Sequence, residues 1–198
     1  EGKIDFKLLK DRKNFILNSY GTHVLEVISV NIDKLIIFPM FGALILGPYQ
    51  LGFQIFVVIM ILPHIVTQYT LPHDATGIKN KSLKRYTIII SGIITGLTVI
   101  LSPLLIPIFF PKYIEAVEII QIMVFALVPS TLTLILTSEL LGKENAKSVI
   151  LSVIVAIVVL IVGIIILGEY MGLVGLALSL VIARSLQCVT LLILKKME

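Results

Sequence analysis

Six apolar stretches, each about 20 residues or longer, follow one another along this chain, joined by loops that alternate between basic and non-basic. A helix rising ~1.5 Å per residue crosses a hydrocarbon core of ~30 Å in such a length. Within lipid every backbone N–H and C=O needs a partner inside the chain, which leaves helices or a closed barrel. Barrel strands alternate apolar and polar residues, and the run from Val149 to Leu160 does not. Hydrophobic residues fill 58% of 198 positions and charged residues 14%, too few polar groups to cover a soluble domain of this size. The mean hydropathy is +1.08. The expected fold is an all-α membrane protein with six spans at roughly 14–38, 47–70, 86–109, 114–139, 147–168 and 171–194, preceded by a polar connector (1–13) and followed by a short tail (195–198).

Orientation follows from the basic residues. Lys3, Lys7, Lys10, Arg12 and Lys13 lie before the first span, and Lys79, Lys81, Lys84 and Arg85 after the second. Lys143 and Lys147 follow the fourth, and Lys195 and Lys196 the sixth, so 13 of 16 basic residues fall on one side. The opposite loops hold only Lys112. The positive-inside rule puts both termini of this chain in the cytoplasm; a cell (plasma or inner) membrane is the expected location. Tyr49, Tyr113 and Tyr170 begin spans after the outer loops, and Tyr69 and Tyr86 flank the long inner one. An interfacial belt is the expected place for such rings.

The net charge of +4 is accounted for by this topology and by attraction to anionic headgroups, so nucleic acid is not an expected partner. The lone Cys188 permits no intrachain disulfide, and His23, His64 and His73 form no metal-ligand spacing with it. No nucleotide, hydrolase or metalloprotease motif is present. The chain is not expected to be an enzyme, nor to need a cofactor or metal. It begins with Glu1 after no signal peptide and reads as cut from something longer. Asn80-Lys81-Ser82 matches a glycosylation sequon on the expected cytoplasmic side.

Polar residues inside spans need a reason, because each ionisable group at membrane depth costs a few kcal/mol or more. The first span is unusually polar. His23 and Glu26 share a helical face, Asn31 follows, and Asp33 and Lys34 sit near its outer end, where they suit an interface-level pair. Such a stripe must line a water-filled cavity or meet polar partners. Arg184 lies near the middle of the last span, with Gln187 a turn on. Two readings stay open: a Glu26–Arg184 ion pair that fixes packing, or a cavity in which one or both hold an anionic headgroup or relay protons. His64 and Gln68, one turn apart in the second span, share a face with that cavity or bond a neighbouring helix. Gln121, Ser130, Thr131 and Thr133 read as packing groups. Pro63, Pro129 and the Pro103/Pro107 pair are expected to kink three spans.

The loops add a resemblance. The polar span ending in Asn31-Ile32-Asp33-Lys34-Leu35-Ile36-Ile37, with Gly47-Pro48-Tyr49 after a short outer loop, resembles the polysaccharide (O-antigen type) flippases. These belong to the multidrug/oligosaccharidyl-lipid/polysaccharide exporter superfamily. Phe109-Phe110-Pro111-Lys112-Tyr113-Ile114-Glu115-Ala116 looks like that family's outer-loop motif, with Pro111 where glycine is usual. Pro72, Gly142 and Gly168 through Gly175 fit the same template. The resemblance implies one six-helix lobe, the C-terminal one, of a two-lobed flippase that carries polyprenyl-pyrophosphate sugars to the outer leaflet by alternating access. It implies as partners the bilayer, the sugar lipid, and an N-terminal lobe or a second copy. Arg184 would then suit a pyrophosphate. A cation-coupled multidrug extruder, with Glu26 or Asp33 taking the ion, is the runner-up. A membrane-embedded sugar-lipid enzyme and a non-transporting scaffold are weaker alternatives.

Overall fold

The computed structural model describes residues 13–75, 81–143 and 145–197, without the side chains at 13–16, 18, 19, 22, 23, 26 and 70–75. The connector before Lys13, the sequon residue Asn80 and the last residue of the tail lie outside the described residues. Helix α1 spans Lys13–Ala75 and α2 spans Lys81–Phe109. A short 3-10 turn, Pro111–Tyr113, leads to α3 (Ala116–Met123). A second 3-10 turn, Val124–Ala126, joins α3 to α4 (Leu127–Gly142), and α5 (Ala146–Lys196) completes the chain. Asn145 caps α5 by accepting from the Ser148 N–H at 3.2 Å.

Among the described residues four helical stretches are long and apolar enough to cross a membrane, in α1, α2, α3 with α4 (Ala116–Gly142) and α5, where hydropathy alone divides the chain into six. The first two expected spans lie in α1 and the last two in α5, without the loops expected at 39–46 and 169–170. A straight helix of 63 residues would be about 95 Å long, but α1 is not straight. At Gly42 the backbone takes φ 77° and ψ 178°, a conformation essentially confined to glycine. Asp33 and Tyr49 would stand about 24 Å apart along a straight helix, yet the Tyr49 hydroxyl donates to Asp33 Oδ2 at 2.8 Å. The chain therefore folds back at Gly42. Helix α5 does the same at Gly172 (φ 57°, ψ −133°). Its two arms approach so closely that a Cβ on Gly175 would lie 1.8 Å from the Leu167 carbonyl oxygen, and one on Gly163 would lie 2.9 Å from Ser179 Cβ. Small residues at such seams let helix backbones touch. A single glycine replaces each expected loop because one positive-φ residue can reverse the chain without a polar segment.

Helix α2 shows which solvent the fold answers to. Its buried residues are Lys84, Thr87, Ser91, Thr95, Ser102 and Ile106, recurring at helical spacing, while Ile93, Leu97, Ile100, Leu104 and Ile108 face outward. Polar side chains turn inward and apolar ones outward, the reverse of a helix in water. Across the interface Ser91 shares a 2.9 Å hydrogen bond with Thr131 of α4. Pro103 and Pro107, expected to kink their span, both lie inside the continuous helix α2. Proline has no N–H for the carbonyl four residues back, and Gln121 Nε2 of α3 donates to that carbonyl, on Val99, at 2.9 Å. Gln121 is thus a partner for a broken helix rather than a generic packing group. The central core gathers Ile37, Tyr49, Phe53, Met123, Leu127, Ile164 and Leu176 from α1, α3, α4 and α5.

At the basic end, Lys84 of α2 donates to Glu139 Oε1 of α4 at 3.0 Å, and Lys195 of α5 donates to Glu139 Oε2. One carboxylate thereby ties three helix ends. Lys81, Lys84 and Arg85, expected in a loop, are the opening turns of α2.

Candidate functional site

A hollow of about 240 Å³ opens among the helices. Its floor and walls are largely apolar, formed by Phe53, Phe56, Val57 and Met60 of the second arm of α1, Leu134 of α4 and Val153 of α5. Into it come Arg184 and Gln187 from the second arm of α5, His64 from α1, and the hydroxyl residues Ser29, Ser130, Thr133 and Thr137. Arg184 Nη1 donates to Gln187 Oε1 at 3.1 Å, a geometry set by their spacing of three on one helix. Gln187 is itself buried, so this bond holds the guanidinium against the wall. A cation among apolar walls acts through a lower effective dielectric than one in water, which strengthens its attraction for an anion.

Of the residues singled out in the sequence, Arg184, Gln187 and His64 meet in this cavity. Asn31 does not. It is exposed on α1, and its Nδ2 donates to the Val27 carbonyl one turn back at 2.9 Å. It stands two residues from both Ser29 and Asp33, about half a turn from the buried face of α1, and so points away from the bundle. Gln68 is likewise exposed and does not line the hollow. The side chains of His23 and Glu26 lie outside the described residues.

Asp33 belongs to a separate polar knot near the Gly42 reversal. Its side chain is 1% exposed. Oδ2 accepts from Tyr49, while Oδ1 accepts from the Lys34 backbone N–H at 2.8 Å and pairs with Lys34 Nζ at 3.3 Å. The same ammonium sits 4.2 Å from the centroid of the Phe53 ring. The expected Asp33–Lys34 pair forms, with Asp33 buried among the helices and the Lys34 side chain 22% exposed. Tyr49 corrects its expected place in the aromatic belt: it is fully buried at 0% exposure, because the fold-back at Gly42 lays it over Asp33. Tyr69, Tyr86, Tyr113 and Tyr170 do remain exposed.

The hydroxyl wall was not legible as a site. Ser130 and Thr133 look like packing residues in the sequence, since helical Ser and Thr usually bond back to their own helix. Their spacing with Thr137 on one face of α4 is the only hint. A second hollow of about 250 Å³, between α1, α2 and α3, is lined mainly by Ile55, Ile59, Ile94, Leu97, Leu101 and Leu105 and offers no charged group. Comparison of the chain with protein-family models, curated proteins and solved structures finds no match.

Proposed function

We propose that this chain is one lobe of a flippase that moves lipid-linked oligosaccharide from the cytoplasmic to the outer leaflet. In this proposal α1 and α5 each cross the membrane twice, making six crossings with the basic ends in the cytoplasm. The fold-back contacts of Asp33 with Tyr49 and of Gly175 with Leu167 support it. The observation that carries the functional proposal is the Arg184 guanidinium held in an apolar-walled cavity beside Gln187 and His64. A polyprenyl-pyrophosphate sugar needs a cation for its phosphates and hydrogen-bonding groups for its sugar, within a site shielded from water.

The cavity volume fits this role as one wall of a larger chamber. Pockets that enclose a ligand measure ~300–1,000 Å³, whereas about 240 Å³ holds a pyrophosphate or a single sugar ring. A second lobe, or a second copy of this chain, would supply the facing wall, and transport would proceed as the two walls rock. A cation-coupled extruder remains the second proposal. It would need an acid open to the ion, and the Asp33 oxygens are bonded by Tyr49 and Lys34.

Arg184→Ala and Arg184→Lys test the proposal in cells that depend on the protein for polysaccharide export. Export should fall at least tenfold in the alanine variant and recover only in part with lysine, at unchanged protein abundance (roughly 1.4 kcal/mol or more of lost recognition). Loss of abundance in step with export would instead assign Arg184 to packing. Flipping leaves the sugar lipid covalently unchanged, so a new lipid product would mark an enzyme.

A further inference from the structure

The Ser130 and Thr133 hydroxyls differ from most others in the bundle. Thr87, Thr95, Thr131 and Ser179 each donate to the carbonyl one turn back, at 2.7–2.9 Å. That bond satisfies a hydroxyl where no water is present. Ser130 and Thr133, 5% and 8% exposed, do not make it. Both residues line the cavity; the Ser130 hydroxyl has no hydrogen-bond partner, and that of Thr133 has only the weakly bonding Cys188 thiol beside it. Leaving a buried hydroxyl unmatched destabilises the fold, so two hydroxyls without an oxygen or nitrogen partner on one wall of one cavity call for an explanation.

We propose that Ser130 and Thr133 are ligand-binding residues whose O–H groups, together with the Arg184 guanidinium, bind the oxygens of a phosphoryl group. The lining offers hydroxyl residues from α4 and the Arg184 cation from α5. A sugar hydroxyl brings no charge for the guanidinium, and a carboxylate presents only two coplanar oxygens. An ionised phosphoryl group carries charge, presents acceptors in a tetrahedral spread and is compact enough for the hollow. The inference deepens the flippase proposal and rests on it: the phosphoryl group is the pyrophosphate of the carrier lipid. Inorganic pyrophosphate offers the same chemistry from solution.

The test uses the whole chain in nanodiscs of zwitterionic lipid. Affinity is measured for polyprenyl pyrophosphate supplied in the disc and for inorganic pyrophosphate supplied in solution. Wild type is compared with Ser130→Ala, Thr133→Val and the double variant, and each variant's ligand-free Tm is recorded. Each single change should weaken lipid binding about tenfold and the double change more. The Tm should hold or rise, because an unmatched hydroxyl has been removed. Ser152→Ala, at a buried hydroxyl bonded to the Val149 carbonyl away from the cavity, should leave affinity unchanged.

Unchanged lipid affinity in the double variant overturns the inference while leaving the flippase proposal standing. Binding lost only together with Tm also overturns it, since the hydroxyls would then be holding the fold. Wild-type binding of inorganic pyrophosphate alone, weakened by the variants, keeps the phosphoryl site and removes the flippase proposal. A wild type that binds neither probe removes both.

Discussion

Asp33 and Tyr49 show what a single residue's neighbours do that its sequence position does not reveal. Asp33 stands near the end of an apolar run, and Tyr49 follows an apparent loop, so hydropathy puts both near a membrane surface. The reversal at Gly42 brings them together in the core, with the Tyr49 hydroxyl donating to a buried carboxylate. Tyr49→Phe should therefore cost about 1–3 kcal/mol of stability, read as a fall in the unfolding midpoint in detergent. Combined with Asp33→Asn, the loss should be less than additive, because the two variants break the same bond. Arg184, Gln187 and His64 were legible from the sequence alone, since polar groups deep in a span need a reason. Ser130 and Thr133 were not: beyond their spacing with Thr137, the sequence does not separate a hydroxyl bonded to its own helix from one left without that bond. Lys84 reads as a topology signal, and only the approach of α4 makes it the partner of Glu139.

At the scale of elements, hydropathy locates the apolar segments but not the way they join. Gly42 and Gly172 look like ordinary glycines in apolar surroundings; the breaks at them are backbone events that leave no polar loop behind. The sequence placed the breaks at prolines, whereas among the described residues the two non-helical ones inside helices are Gly42 and Gly172; nor was the partner of the carbonyl freed by Pro103 legible, since Gln121 reaches Val99 from a different helix. Gln121→Leu should destabilise by about 1–2 kcal/mol by leaving the Val99 carbonyl with only the long 3.5 Å bond from the Ser102 hydroxyl. Pro103→Ala in the same chain should recover most of that loss, because a new N–H at position 103 can bond Val99 within the helix. If thermal unfolding finds the double variant no better than the single, Gln121 acts in some other way. Gly175→Ala should cost about 3 kcal/mol or more, since its methyl would enter the Leu167 backbone. Gly92→Ala, whose methyl would meet nothing within 4 Å, should be neutral or mildly stabilising. Relative yields of protease-resistant protein would compare the two.

For the molecule as a whole, the central claim is that two glycine reversals turn four long helices into six membrane crossings, with the cavity between them and the basic ends inside. Helix α2 supports a lipid environment through its inverted polarity, and the Lys84–Glu139–Lys195 cluster gathers three helix ends on the basic side. Cavity, orientation and transport all depend on how many times the chain crosses. The most direct measurement is cysteine accessibility in intact cells, in a Cys188→Ala background that removes the single native thiol. Cysteines are placed one at a time at Leu44 (90% exposed), Lys112 and Met171 near the three proposed outer turns, and at Lys81 and Lys143 on the basic side. A membrane-impermeant maleimide should label the first three in intact cells and the last two only after permeabilisation. Protection of positions 44 and 171, or their labelling from the same side as Lys143, would contradict the six-crossing account.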